Sequence, residues 1–312
     1  MTRRIAWAAG LGGGLVLSFL ALCGLLAARE IPMTTRFTPR PGTLGRYRVA
    51  VLGDSQKGIT NLKNILRRAR EERADLLLQT GDIVSSNDEG HYQLLAHVLM
   101  KEAFGIPLVI VPGNHDIKGG AERFVERIGP LEQSFRIGEV GFVLIENAFG
   151  IPPDPGHIES RIAAAGPHRA IVLAMHVPPF DEKGGVQPGY EPFLAWLEKS
   201  RVRYLLCGHV HGYFKKQVGG TTVIVNGVGG DYGPWELGKK VHATILEVDG
   251  ATITDRAIEI PPGHGVWDNV EHLAIGHVAE AYRRHPVLCW GATLLLAAGV
   301  GFSIGVIRLK RP

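Results

Sequence analysis

Cysteine is scarce in this chain. Only three occur, and Cys23 and Cys289 both fall inside apolar runs, which leaves Cys207 alone between them. That count excludes a disulfide framework and a structural zinc site built on cysteine thiolates. An excess of one charge is also missing. Lys and Arg number 34 against 30 Asp and Glu, a net charge of +4, and no basic stripe runs along the sequence. Nucleic acid is therefore not implied as a partner. Processing signals are lacking near the N-terminus too: no good Ala-x-Ala site precedes Arg29, and Leu22 before Cys23 is the wrong residue for lipoprotein processing. What the chain does have is apolar content, 45% of 312 residues, enough for one good-sized core plus accessory segments.

Much of that content lies at the two ends. Ile5–Ala28 and Val287–Ile307 carry no charge, and each is long enough to cross a bilayer as a helix. Without a cleavage site the first reads as an uncleaved anchor, and Arg283, Arg284, Arg308, Lys310 and Arg311 flank the second. Basic residues near the spans are balanced between the tails and the domain side. A short basic tail before a long apolar run is what export machinery reads first, so both termini are expected in the cytoplasm, with the domain outside a cell membrane crossed twice. Gly10-x-x-x-Gly14 and Gly301-x-x-x-Gly305 each put two glycines on one helix face, and the expectation is that the spans pack on each other or on a second copy as a homodimer. The expected organisation is an anchor at 1–28, a linker at 29–46, a globular domain at 47–262, a juxtamembrane helix at 263–286, a span at 287–307 and a basic tail at 308–312.

Within the domain, apolar strands alternate with helices. Tyr47–Leu52, Asp75–Gln79 and Leu108–Val111 read as strands, with helices at Thr60–Arg73 and His91–Phe104 between them. That order predicts βαβ units and a mostly parallel sheet. A short helix at Ala121–Ile128 and a hairpin around Gly138-Glu139 follow. Ala170–Met175 and Arg203–Cys207 return as buried strands on either side of a helix at Tyr190–Lys199. From Tyr213 onwards the pattern is a meander, with strands near Thr221–Val225, His242–Val248 and Thr252–Glu259. Trp267–Arg284 reads as a helix leading to the second span.

The strands end alike. Leu108–Val111 stops at Pro112-Gly113 and delivers Asn114, His115 and Asp116. Three more apolar strands run into Gly53-Asp54-Ser55-Gln56, Gly81-Asp82 and Gly208-His209-Val210-His211, and another into His176. The C-terminal edge of an open α/β sheet is where active sites are built, and strands of one sheet that end this way converge on one edge. Alone, Asp54 is an ordinary turn former, Asp82 a helix cap, and His209 and His211 alternate strand residues. Together, Asp54, Gln56, Asp82, Asn114, His176, His209 and His211 are oxygen and imidazole donors without a thiolate, suited to Mn²⁺, Mg²⁺, Fe or Zn²⁺. Seven donors exceed one ion and match two if a carboxylate bridges, and a cation pair is the standard device for in-line displacement at phosphorus.

In these motifs the chain resembles the calcineurin-like metallophosphoesterases, over about residues 47–260 and in the family's order: Asp54-Ser55-Gln56, Gly81-Asp82, Gly113–Asp116, His176 and Gly208–His211. The resemblance implies a four-layer αββα sandwich, two stacked mixed sheets flanked by helices, here with a transmembrane helix at each end. It implies a phosphoesterase acting on a phosphodiester, pyrophosphate or phosphomonoester through a metal-bridging hydroxide, with two divalent cations, Mn²⁺ first among them. Asp54, Gln56 and His211 would hold one ion and Asn114, His176 and His209 the other, with Asp82 between them. His115 would face the substrate as the acid or charge stabiliser, oriented by Asp116. Gln56 departs from the family, which usually has His there, and an amide oxygen is a weaker, harder ligand than imidazole.

Terminal spans would keep the site close to a bilayer and favour a phosphorylated small molecule or lipid, lipid-linked or of the envelope, as substrate. Loops Asp181–Gly189 and Asp231–Gly238 would wall the pocket, with Tyr232 and Trp235 as stacking surfaces and Lys57 and Lys118 against phosphate. A domain that has kept the fold but acts as a binding or scaffold module is the rival reading, and Gln56 is its only support.

Overall fold

The structure is a computed structural model and describes residues 2–31, 33, 45–56, 58–103, 105–227, 241–261, 263 and 265–309. Two compact units are present: Met33–Asp88 with Leu95–Gly265 form one, and Met1–Pro32, Glu89–Leu94 and Val266–Pro312 the other.

The larger unit holds two mixed sheets. The first runs in the order β11-β10-β1-β2-β3. Its strands are β1 (Arg46–Leu52), β2 (Leu76–Gln79), β3 (Leu108–Ile110), β10 (His242–Asp249) and β11 (Thr252–Glu259). β1, β2 and β3 are parallel, and β10 pairs antiparallel with both β1 and β11. The second runs β4-β5-β6-β7-β9-β8, from β4 (Gln133–Ile137), β5 (Val140–Leu144), β6 (Ala170–Ala174), β7 (Val202–Cys207), β8 (Tyr213–Val218) and β9 (Thr221–Asn226). Here β5, β6, β7 and β9 are parallel, with antiparallel β4 and β8 at the edges.

Alternation along the strands explains the layering. Val49 and Val51 of β1, Leu76 and Leu78 of β2, Phe142 and Leu144 of β5 and Val172 and Ala174 of β6 meet in one buried cluster shared by the two sheets. The residues between them on the second sheet, such as Val143, Ile171, Leu173 and Leu205, turn to its other face. There they pack with Ile158 and Ile162 of α6 (Pro155–Ala164) and Phe193 and Leu197 of α7 (Glu191–Lys199). Both faces of these strands are buried, which is why they read as continuous apolar runs. Between the strands, α2 (Ile59–Glu71) buries Ile59, Leu62, Ile65, Leu66 and Ala69 along one face, and α3 (Glu89–Glu102) follows β2.

The expected alternation of strands and helices is present, with differences in detail. The segment from Tyr213 is not a meander. β8 and β9 form a hairpin in the second sheet, after which the chain passes to the first sheet as β10 and β11. α6 is also additional. Asp154 caps it by accepting from His157 N, and Pro155 occupies its first position, where a missing N–H costs nothing.

The smaller unit contains α1 (Thr2–Ala27), α8 (Val266–Glu271), a π-helix over His272–Val278, α9 (Ala279–Arg284) and α10 (Pro286–Leu309). α1 packs on α10, and of the four glycines expected to face a contact, the two that are described, Gly14 and Gly301, do not. A Cβ at Gly13 would press on Val300 and one at Gly24 on the Trp290 ring, whereas Gly14 and Gly301 have nothing within 4 Å. Gly10 and Gly305 lie outside the residues whose side chains are described. Arg283 donates to the carbonyls of Leu26 and Ala27 and so satisfies the C-terminal end of α1. Among the described residues no single helix is long and apolar enough to cross a membrane; Val266–Arg284 and Pro286–Phe302, bent by 108°, meet the requirement only as a pair, and Leu11–Ala27 is a shorter apolar helix.

Candidate metal centre

The residues predicted to ligate come together, from both sheets and not from one. β1, β2 and β3 of the first sheet deliver Asp54 and Gln56, Asp82, and Asn114 past their C-terminal ends, while β6 and β7 of the second deliver His176 and His209 with His211. The expectation of a single sheet edge is corrected: the site lies where the strand ends of two stacked sheets face each other.

The backbone turns left-handed at three of the five strand ends, those of β1, β2 and β7. Asp54, Gln56, Asp82 and His209 all have positive φ, between 29° and 67°. Non-glycine residues rarely adopt that region, and such strain collects at sites where the surroundings over-determine the backbone. The motif glycines give the room. A Cβ at Gly113 would fall on the Asp82 carboxylate and backbone nitrogen, and one at Gly208 would lie 2.6 Å from Asp54 Oδ2.

The floor of the site is buried and the rim is open. Asp54, Asp82 and His176 are 0%, 2% and 0% exposed, and their ligating atoms lie within 4.8 Å of one another. Asn114, His115 and His211 are half-buried, and His209 is exposed. His176 Nε2 is the point of convergence: Asn114 Oδ1 lies 3.2 Å away, His209 Nδ1 3.3 Å and Asp82 Oδ1 3.6 Å. Burial pushes the His176 pKa down to about 4, against the opposing pull of Asp82, so the imidazole is neutral at pH 7 with a lone pair to offer. Its tautomer is set from behind by the Thr80 carbonyl, 2.9 Å from Nδ1.

The group expected at the other ion is more open. His211 Nε2 is 3.8 Å from Asp54 Oδ1, and both Asp54 oxygens accept from His209 N. Gln56 presents its amide nitrogen, not its oxygen, to the centre: Nε2 donates to Asp82 Oδ2 at 2.7 Å. Two carboxylates buried this closely repel unless a cation lies among them, and hard oxygen with neutral imidazole is the donor set of Mn²⁺, Fe or Zn²⁺. The residues therefore fit a divalent metal.

Asp116 does not orient His115. Its oxygens accept from the backbone N–H groups of Asp82, Val84 and Gly113, which ties the β2 and β3 loops together. Burial and the charge of Asp82 push its pKa up, while those three hydrogen bonds pull it down. The His115 ring instead has Nδ1 3.0 Å from the Ser85 carbonyl, and its backbone N–H donates to Asp82 Oδ1. The physical reason is α4 (Asn114–Ile117), a single helical turn that points Asp116 back at the glycine opening the turn.

Sequence reasoning missed Asn147. Buried after β5, it accepts from His176 N and Val177 N and donates to the Val177 carbonyl and Tyr190 Oη, and so fixes the loop that carries His176. Its signal was the one already in use, an apolar strand ending in a polar residue. Lys57, Tyr232 and Trp235 lie outside the described residues, and Lys118 is exposed. The loop from Asp181 closes on itself, with Asp181 Oδ1 accepting from Lys183 N and Gly185 N.

A family model described as calcineurin-like phosphoesterase matches residues 47–213. A 3′,5′-cyclic adenosine monophosphate phosphodiesterase of Escherichia coli K12 is 28% identical over 160 residues, covering 46% of this chain and 57% of the relative. A 3′,5′-cyclic-nucleotide phosphodiesterase of Nostoc sp. is 25% identical over 170 residues, covering 49% and 62%. The chain thus spans less than two thirds of the length of either relative. In fold it is similar to a purple acid phosphatase from yellow lupin seeds, with a TM-score of 0.56 at 15% identity, over 71% of this chain and 53% of that one.

Proposed function

The chain belongs to the calcineurin-like phosphoesterase family, and from that premise we propose that it is a metal-dependent phosphodiester hydrolase. The observation that carries the reading is the convergence of Asp82, Asn114 and His209 on His176 Nε2, next to the buried carboxylate of Asp54. Asp82, Asn114, His176 and His209 would hold one divalent ion, and Asp54, Asp82 and His211, with Gln56 beside them, the other. Cations bound there supply a water activated at neutral pH and offset phosphoryl charge. The protein's own groups do the rest. His115, on the half-buried rim and braced by the Ser85 carbonyl, would donate a proton or a hydrogen bond to the leaving oxygen. Asp116 acts on position alone, by holding the Asp82 and Gly113 backbones in register.

The phosphodiester preference rests on the relatives, both cyclic-nucleotide phosphodiesterases by name. Cyclic nucleotides therefore belong in the substrate panel beside lipid-linked diesters, pyrophosphates and monoesters. The uncharged runs Ile5–Ala28 and Val287–Ile307 and the short basic tail before the first of them are the grounds for proposing a two-pass membrane anchor with the domain outside the cytoplasm, and hence an envelope or lipid-linked substrate. Proteolysis of intact spheroplasts tests that topology: the domain is digested if it lies outside and protected if it does not. Gln56 would bear on the metal preference by what it withholds, because its amide nitrogen donates to Asp82 Oδ2 and no imidazole stands at that position. With an amide in place of imidazole, the Asp54–His211 ion is the weaker and harder of the two, so activity should rise with added Mn²⁺ while the other ion is already bound, and Gln56→His should tighten the weaker affinity and move it towards Zn²⁺ or Fe.

The direct test is a pair of variants. Asp82→Ala should lose metal and activity together. His115→Ala should keep its metals and lose rate, by a factor on the order of a hundred to ten thousand for a positioned acid or base. Loss of metal from His115→Ala would overturn the assignment of roles.

A further inference from the structure

A second constellation lies in the smaller unit and shares no residue with the candidate centre. His91 on the first turns of α3 meets His272 and His277 of the π-helix, and one ring nitrogen from each lies within 4.8 Å of the others. The ring centroids are 5.6 Å apart for His91 and His272, 5.4 Å for His91 and His277, and 4.8 Å for His272 and His277.

The local backbone is what brings them together. On an α-helix, residues five apart point about 140° away from each other, because each residue turns the chain by about 100°. Over His272–Val278 the helix is wound as a π-helix. Its i→i+5 pattern places His272 and His277 one above the other, and such insertions occur frequently at functional sites. Two glycines clear the space. A Cβ at Gly276 would press on the His272 ring at 3.0 Å, and a Cβ at Gly90 would strike the Gly276 carbonyl. Only with both does the start of α3 approach closely enough for His91 to join the pair.

We infer that His91, His272 and His277 form a binding site for a borderline transition-metal ion, Zn²⁺ foremost, with three imidazole ligands and a fourth position open to solvent. The donors decide the class of ion: imidazole without carboxylate suits Zn²⁺, Cu²⁺ or Ni²⁺ and disfavours Mg²⁺, Ca²⁺ and Mn²⁺. The separations decide feasibility. Zn–N bonds are about 2.0–2.1 Å, so two ligands of one ion lie at most about 4 Å apart, and ring nitrogens within 4.8 Å of one another are close to that separation. Burial of His91 and exposure of His277 give the site an inner and an outer ligand and a route of entry. A bound ion would clamp the first turn of α3 to the π-helix, two segments far apart in the chain. The inference stands independently of the phosphoesterase reading.

The experiment uses the full, untagged chain in detergent, with Asp54→Ala and Asp82→Ala combined to disable the other centre, and Co²⁺ as a spectroscopic substitute for Zn²⁺. The expected result is one Co²⁺ per chain with the intense visible absorption of a four-coordinate, nitrogen-ligated ion, displaced by Zn²⁺ and not by Mn²⁺. Adding His277→Ala, which removes an exposed ligand and spares the core, should weaken that binding at least about a hundredfold. Loss of an outer hydrogen-bond partner alone costs roughly ten- to a hundredfold in metal affinity, and a ligand should cost no less. In the otherwise natural chain, His277→Ala should leave Mn²⁺-supported hydrolysis unchanged. Absence of the four-coordinate spectrum, or equal Co²⁺ affinity with and without His277, would overturn the inference.

Discussion

Asn147→Ala should damage the candidate centre without touching a ligand. Its amide makes three hydrogen bonds with the backbone that carries His176: Oδ1 accepts from His176 N at 2.8 Å and Val177 N at 3.0 Å, and Nδ2 donates to Val177 O at 2.8 Å. At about 1 kcal/mol net for each bond, and more where a buried N–H is left without a partner, the substitution should cost about 3 kcal/mol. For a unit of this size roughly 2–4 °C of melting temperature is lost per kcal/mol, so the midpoint should fall by about 6–12 °C. A merely destabilising mutation would do the same. The diagnostic readout is therefore Mn²⁺ affinity, which should drop by roughly ten- to a hundredfold because a residue that orients a ligand has gone. Leu205→Ala, a core deletion on the far face of β7, is the control; it should lower the melting temperature by a comparable amount and leave Mn²⁺ affinity intact. A midpoint shift below about 2 °C, or equal loss of Mn²⁺ affinity in both variants, would refute the role given to Asn147.

Gly113→Ala puts a methyl group on the Asp82 carboxylate, so it should lower metal content and hydrolysis together; a variant with full metal content would show that the backbone gives way there. Burial pushes the Tyr190 phenol up to about 12. Because this folded value lies above the unfolded one near 10, the stability it contributes is fully present below pH 10 and is lost as pH rises towards 12. Tyr190→Phe should flatten that alkaline limb of a pH-melting curve, and an unchanged limb would count against the burial argument.

The strands of this fold were legible because they are buried on both faces and are punctuated by Gly and Pro, and because five of them end in ligand-type residues. The division into two sheets was not, since nothing in an apolar run says which sheet it joins. β8 was hidden by Lys215 and Lys216, charges that an exposed edge strand carries to discourage further pairing. α6 has a signal in the sequence: Asp154-Pro155 is a helix start, and Ile158 and Ile162 are the buried pair four apart. The roles of single residues were harder. Adjacency suggested that Asp116 serves His115, but a one-turn helix sends neighbouring side chains in different directions, and backbone amides took the carboxylate instead. The left-handed backbone at Asp54, Gln56, Asp82 and His209 leaves no mark on the sequence, because glycine was not used there. The His91, His272 and His277 cluster depends on a π-helix, whose spacing falls outside both the α-helical and the strand period.

If strand-end residues from two sheets build one metal centre that hydrolyses phosphodiesters, metal binding and hydrolysis must be lost together. The most direct test measures Mn²⁺ binding and hydrolysis of a model phosphodiester in the same samples of purified protein, with and without Asp82→Ala. Two Mn²⁺ per chain are expected, with hydrolysis that rises as the weaker ion binds and loss of both ions and of hydrolysis when Asp82 is removed. Hydrolysis by the metal-free chain, or Mn²⁺ binding unchanged in Asp82→Ala, would contradict such a centre.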